Sequence, residues 1–168
     1  MTRSDSPDSA GAAVAADADS LEGLRARMDA LDRQLARLLQ ERAAISVQVG
    51  QAKNGADSAP IFVPHREAEV LANVQAVPGP LGGPALASIY REILSTSRAL
   101  QRPTRVAHLG PAATFGHMAA LDRFGSAAVL EPCQTHAEVF AMVEKGAADY
   151  GLVAYENSTE GPVNEVLD

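Results

Sequence analysis

The chain has 168 residues, a formal net charge of −7 and a single cysteine, which gives a sequence pI of about 5.0. That balance argues against nucleic acid or an anionic membrane as the main partner, and no apolar run approaches the roughly 18 residues that span a bilayer. Cys133 alone can form neither an internal disulfide framework nor a multi-cysteine metal site; it reads as a small buried residue and fits a reducing cytoplasm.

Residues 1–20, "MTRSDSPDSAGAAVAADADS", carry Asp5, Asp8, Asp17 and Asp19 and lack the apolar segment of a secretory signal. They predict a disordered acidic tail. From Leu21 the pattern changes. Leu21, Leu24, Met28, Leu31, Leu35, Leu38, Ile45, Val49 and Ala52 recur at helical spacing, which predicts one helix from Leu21 to about Lys53, with Asp19 or Ser20 as its cap. At 1.5 Å per residue it is ~50 Å long. One position of its apolar seam, between Leu38 and Ile45, holds Arg42.

"NGADSAP" (54–60) is a loop. Pro64 then opens a short helix through "HREAEVLANVQA", and "VPGPLGGP" (77–84) breaks the chain again. A third helix runs from Pro84 to about Gln101. Its expected inner stripe is Leu86, Ile89, Tyr90, Ile93, Leu94 and Ser97, with Leu100 or Gln101. After "QRPT" the texture becomes α/β. "RVAHLG" (105–110) reads as a strand and "PAATFGHMAALDRFG" as a turn and helix. "THAEVFAMVEKG" reads as a helix capped by Thr135, "ADYGLVAYE" as a strand and "NSTEGPV" as a loop. The expected organisation is a tail (1–20), an all-helical domain (21–102) and an α/β segment (103–168). The fold class is mainly α. The α/β pattern stops at Asp168, where another helix is due, which predicts a piece of a longer protein.

A helix of ~50 Å is longer than a small domain is wide. Two shorter helices of the same chain do not cover its stripe, whereas a second copy lying antiparallel does, so an intertwined dimer is expected. Arg42 and Lys53 are eleven residues apart on one face, ~16 Å, and Arg25 lies ~25 Å before Arg42. Within an antiparallel dimer Arg25 reaches the partner's site. Ser97 and Gln101, four apart, add a hydroxyl and an amide to one face, and the second helix adds Arg66 and Glu67 near its start. Each has a plainer reading. Arg42 can snorkel from the seam, Arg25, Arg66 and Glu67 can be surface charges, and Lys53 can complement the helix C-terminus. Ser97 can bond back to its own helix, and Gln101 can be exposed. As a set they suit a small dianion. They also suit chemistry that depends on charge placement, with no metal cluster and no nucleophile–base pair.

The stretches "LRARMDALDRQLARLLQERAAISVQVGQAK", "HRE" and "IYREILSTSRALQ" resemble the all-helical chorismate mutase domain, a three-helix intertwined dimer. "GPAATFGHMAA" and "ENSTEGPVNEVLD" resemble the start of a prephenate dehydratase domain. Their order is similar to the bifunctional chorismate mutase–prephenate dehydratase family of phenylalanine biosynthesis. The resemblance implies a cytoplasmic homodimer that converts chorismate to prephenate without cofactor or metal, by a pericyclic rearrangement. It implies that Arg25 of the partner chain and Arg42 hold the substrate carboxylates, assisted by Ser97 and Arg66. Lys53 and Gln101 would face the ether oxygen, and Glu67 would hold the ring hydroxyl. Thr114, Asn157 and Ser158 match positions lining the dehydratase pocket, with a helix cap (Thr114) and turn residues (Asn157, Ser158) as their plainer readings.

The chain departs from the family pattern at three places. Val63 stands where an acid is common, and Ala113 and Gly116 replace the usual glycine and serine of "GPxGTFS". The second dehydratase lobe with its Thr-Arg-Phe motif, and the regulatory ACT domain, are not among these 168 residues, so neither dehydration nor feedback is expected of them. The competing expectations are a non-catalytic helical dimerisation module, a lyase acting on isochorismate, and a small-molecule binder built on the α/β segment.

Overall fold

The computed structural model describes residues 20–54, 60–157, 161–163 and 166. The expected tail, except Ser20, therefore lies outside the described residues. The chain divides into two units, one ending at Ala44 and the other beginning at Ile45.

The first unit holds most of helix α1 (Leu21–Asn54). Ser20 caps it: the Oγ accepts the Gly23 N–H at 3.0 Å, satisfying one of the amides that a helix start leaves open. Leu21, Leu24, Met28, Leu31, Leu35 and Leu38 are all 45–65 % exposed.

The second unit contains the end of α1, then α2 (Pro64–Gln75) and α3 (Gly83–Gln101). Proline in the first turn of each shorter helix costs no hydrogen bond there and presets φ. The α/β layer follows as β1 (Arg105–Leu109), α4 (Phe115–Phe124), β2 (Val129–Cys133), α5 (His136–Glu144) and β3 (Tyr150–Leu152). Thr114 and Thr135 cap α4 and α5 by accepting the His117 and Glu138 N–H groups. The three strands are parallel in the order β2-β1-β3, with Val106 opposite Leu130 and Tyr150. Two further short strands, β4 (Glu156–Asn157) and β5 (Gly161–Pro162), pair antiparallel; Glu156 ends the stretch expected to be a strand, and Asn157, Gly161 and Pro162 lie in the one expected to be loop.

Strand β2 has no counterpart in the sequence reading. "VLEPC" carries Glu131 and Pro132 within five residues, and proline cannot donate to a ladder. The strand survives because it lies at an edge and needs donors only toward β1.

Successive residues of β1 point to opposite faces and meet separate cores. Val106 joins Phe62, Ala120 and Phe124, while Ala107 joins Cys133, Val139 and Ala148. Both faces are covered, as a parallel sheet requires. Phe62 precedes α2, yet it packs against Phe124 (ring centroids 5.1 Å) and edge-on to Tyr150 (5.5 Å). The chain before α2 thus contributes to the core of the α/β layer.

The same packing sets the orientation of α3. Its buried residues are Ala87, Leu94, Ser95, Ser97 and Arg98, whereas Ile89 and Leu100 of the expected stripe are exposed. The turn after α4 explains the rotation. Gly125 (φ +74°) lies so close that a Cβ there would collide with Ser95, and the Ser95 Oγ accepts the Ala127 N–H at 3.1 Å. A positive φ and a missing Cβ are both glycine properties. Glu92 accepts from the Ser126 hydroxyl alongside. Among the described residues no helix is long and apolar enough to cross a membrane.

Candidate functional site

The sequence-predicted residues fall in three places. In the first unit Arg25 is exposed and Arg42 half-buried on α1.

In the second unit Lys53, Gln101, Ser97, Glu67 and Arg66 lie on α1, α3 and α2. Gly50 explains how two of them meet. It is buried, and a Cβ on it would stand 3.0 Å from Cβ and Cγ of Gln101. Its bare backbone lets the last turns of α1 close onto the end of α3. Lys53 is three residues further along the same face of α1. Its Nζ donates to the Pro60 carbonyl at 2.9 Å. Sequence reading passed over Gly50, although an interior helix glycine often marks a close backbone approach.

The Gln101 Nε2 donates to the Ser97 carbonyl at 3.3 Å. Its Oε1 is buried without a hydrogen-bond partner among the described residues. An unsatisfied buried acceptor costs ~1–3 kcal/mol. An amide that turns by 180° puts a donor where that acceptor stands, so the same position can greet a ligand oxygen. The buried Ser97 Oγ donates to the Ile93 carbonyl at 2.7 Å, the back-bond to its own helix that the plainer reading expects.

The first turn of α2 separates its two charged residues. Arg66 points outward and pairs with Glu69 at 2.9 Å, its side chain 69 % exposed. Glu67 turns inward and pairs with Arg98, their side chains 18 % and 6 % exposed. The second Arg98 branch donates to the Phe124 carbonyl. Arg98 is absent from the sequence reading. Nothing in a helix pattern separates one buried arginine from the exposed Arg91 or Arg102 nearby.

The third place is a cleft of about 540 Å³ at the carboxyl ends of β1 and β3. Leu109 and Gly110 form one side, residues 152–156 another, and the start of α4 (Thr114, Phe115, Gly116, Ala119) the third. Open parallel sheets receive ligands outside the carboxyl ends of their strands. The Thr114 hydroxyl donates to the Pro111 carbonyl at 2.8 Å and caps α4. Ala113 has φ +67°, a left-handed conformation that suits the glycine of the family pattern. A Cβ on Gly116 would stand 2.7 Å from the Leu109 carbonyl oxygen, so a serine does not fit there without movement. The Asn157 backbone pairs with Gly161 in β4–β5. Its side chain and Ser158 lie outside the described residues.

Two groups near these sites have altered acidity. Burial, then the Glu138 and Glu131 carboxylates, pushes the Cys133 thiol above its ordinary value. Burial, then Asp149, does the same for the Tyr150 phenol.

Comparison with known proteins gives two adjacent family matches: chorismate mutase type II over residues 24–102 and prephenate dehydratase over residues 106–168. The bifunctional chorismate mutase/prephenate dehydratase of Pseudomonas aeruginosa is 45% identical over 158 residues, which cover 91% of this chain and 43% of that protein. The protein of the same description from Aquifex aeolicus is 43% identical over 155 residues, covering 89% and 42%. A crystal structure of chorismate mutase from Helicobacter pylori in complex with prephenate shares 36% identity, covering 48% of this chain and 88% of that one. Its TM-score of 0.44 leaves the two backbones only loosely alike. The chain spans less than half the length of the curated relatives it matches. A chorismate mutase segment followed directly by a prephenate dehydratase segment is the order of those relatives, and the chain belongs to the bifunctional chorismate mutase/prephenate dehydratase family.

Proposed function

We propose that the helical segment converts chorismate to prephenate by intramolecular rearrangement, as a cytoplasmic homodimer within phenylalanine biosynthesis. The observation that carries this reading is the chorismate mutase type II match over residues 24–102, which contains Arg25, Arg42, Lys53, Arg66, Glu67, Ser97 and Gln101 together. The reaction breaks a C–O bond and forms a C–C bond in one concerted step, so no cofactor or covalent intermediate is needed. What accelerates it is selection of a folded near-attack conformer and donors aimed at the ether oxygen as negative charge grows there.

Arg42 and the partner's Arg25 hold the two carboxylates, with Ser97 and Arg66 assisting. In the structure Arg66 leans on Glu69, an exposed pair that is easily exchanged for a substrate carboxylate. Lys53 and Gln101 donate to the ether oxygen; the close approach at Gly50 supports their pairing. Glu67 accepts the ring hydroxyl. The dimer is supported by the stripe on α1 that is exposed among the described residues. Each of its side chains has about half its surface still to bury, worth ~1 kcal/mol apiece.

The cleft at β1 and β3 belongs to the dehydratase segment, and with the rest of that domain Thr114, Asn157 and Ser158 line a pocket for prephenate, the helical site's product. Val63 favours a second reading. It stands where the family often has an acid, and as the residue before α2 it gives the helix no side-chain cap. That reading is a dimerisation module without turnover.

Loss of chorismate absorbance distinguishes the two. The mutase reading predicts turnover by the unmodified chain and a 10²- to 10³-fold loss of kcat/KM in Lys53→Ala and Arg42→Ala, the usual cost of removing one preorganised donor. A folded dimer without turnover would support the module.

A further inference from the structure

We propose that Arg98 is a positioning residue for Glu67, which it holds in place from the carbonyl of Phe124 in the α/β layer. The inference rests on the mutase reading, in which Glu67 meets substrate. Arg98 itself is buried and engaged on both branches. One branch of its guanidinium donates to Glu67 Oε1 and the other to the Phe124 carbonyl. Its plane lies over the Phe62 ring, 5.1 Å from the centroid, and its side chain is 6 % exposed. Phe62 is fixed in turn by Phe124 and Tyr150.

Glu67 has no comparable support from its own helix. Val63 supplies no side-chain cap bond, and the neighbouring Arg66 is engaged with Glu69. The ion pair takes Oε1 and leaves Oε2 as an acceptor for a hydroxyl. A planar fork with fixed geometry can bridge a carboxylate and a carbonyl at once; a lysine ammonium is a point charge on a flexible stem and cannot hold both in register. The α/β layer therefore sets the position of a group in the helical site, although it contributes no atom to the rearrangement.

The test measures chorismate turnover by the full chain and by Arg98→Met, Arg98→Lys, Glu67→Gln and the two Arg98 variants combined with Glu67→Gln. Arg98→Met lowers kcat/KM ~10- to 100-fold, as small misplacements of site groups do, with Arg98→Lys in between. Neither adds more than about twofold once Glu67→Gln is present, because both act through the same carboxylate. A folded Arg98→Met protein with unchanged kcat/KM overturns the proposal, as do losses that multiply in the double variant. If Arg98→Met does not fold, the Arg98→Lys arm decides by the same criteria. If the unmodified chain does not turn over chorismate, the mutase reading fails by itself. The linkage is then judged by urea midpoints: non-additive shifts in the Arg98→Lys and Glu67→Gln cycle uphold it, and additive shifts overturn it.

Discussion

The first unit and the α/β layer handle their apolar side chains in opposite ways. On α1, six large apolar residues from Leu21 to Leu38 keep about half their surface in water. In the α/β layer, Val106, Ala107 and Ala120 are fully buried by neighbours from the same chain, and even Phe62 is drawn in from before α2. A sheet covered on both faces satisfies itself within one chain. A long helix with a stripe at heptad-like spacing is built to be completed by another surface. In the proposed dimer, the difference separates where stability is local from where it depends on assembly.

The largest way to break this contrast is a charge in the stripe. Leu35→Glu is expected to yield a monomer by light scattering and to abolish chorismate turnover while leaving the circular dichroism of the α/β layer intact. The converse is Val106→Ala, which opens a cavity in the self-contained core. Its expected cost is ~2 kcal/mol in urea unfolding, with the oligomeric state unchanged.

Smaller effects test the cleft. Gly116→Ser brings a Cβ against the Leu109 carbonyl oxygen at 2.7 Å, a backbone atom that cannot swing away. It should destabilise by ~1–3 kcal/mol. Ala113→Gly should instead stabilise by ~0.5–1 kcal/mol, because φ +67° strains alanine and the entropy lost to glycine's freer unfolded chain only partly offsets the relief.

The smallest effect is on alkaline stability. Both Cys133 and Tyr150 have folded-state values raised by burial. As pH climbs past 9.0, the ordinary thiol value, the unfolded chain releases its proton first. The contribution of Cys133 is therefore complete below that pH and is lost as pH rises toward the folded-state value. Tyr150→Phe should flatten the decline that follows above 10.0, the ordinary phenol value.

The sequence reading did well where structure is decided locally. The long helix, its cap at Ser20, the prolines that open α2 and α3, and the Thr135 cap all follow from spacing and turn chemistry within a few residues. It did less well where a distant neighbour decides. Strand β2 contains a proline tolerated only because of its edge position, and α3 is rotated by the approach of Gly125 to Ser95. The candidate site divides the same way. Arg25, Arg42, Lys53, Ser97 and Gln101 stand out as polar groups at helical spacing. Gly50 and Arg98, which bring α1 to Gln101 and link Glu67 to Phe124, have meaning only once α1, α3 and α4 are in contact.

The central claim is that one site is built from two chains, and subunit mixing tests it directly. Arg25→Ala and Lys53→Ala chains, each inactive alone, are unfolded together and refolded. In a shared-site dimer, half of the dimers are mixed and each carries one intact site, so turnover returns to about a quarter of the unmutated level. A mixture that stays as inactive as its components, while mass measurement shows that mixed dimers have formed, would contradict the account.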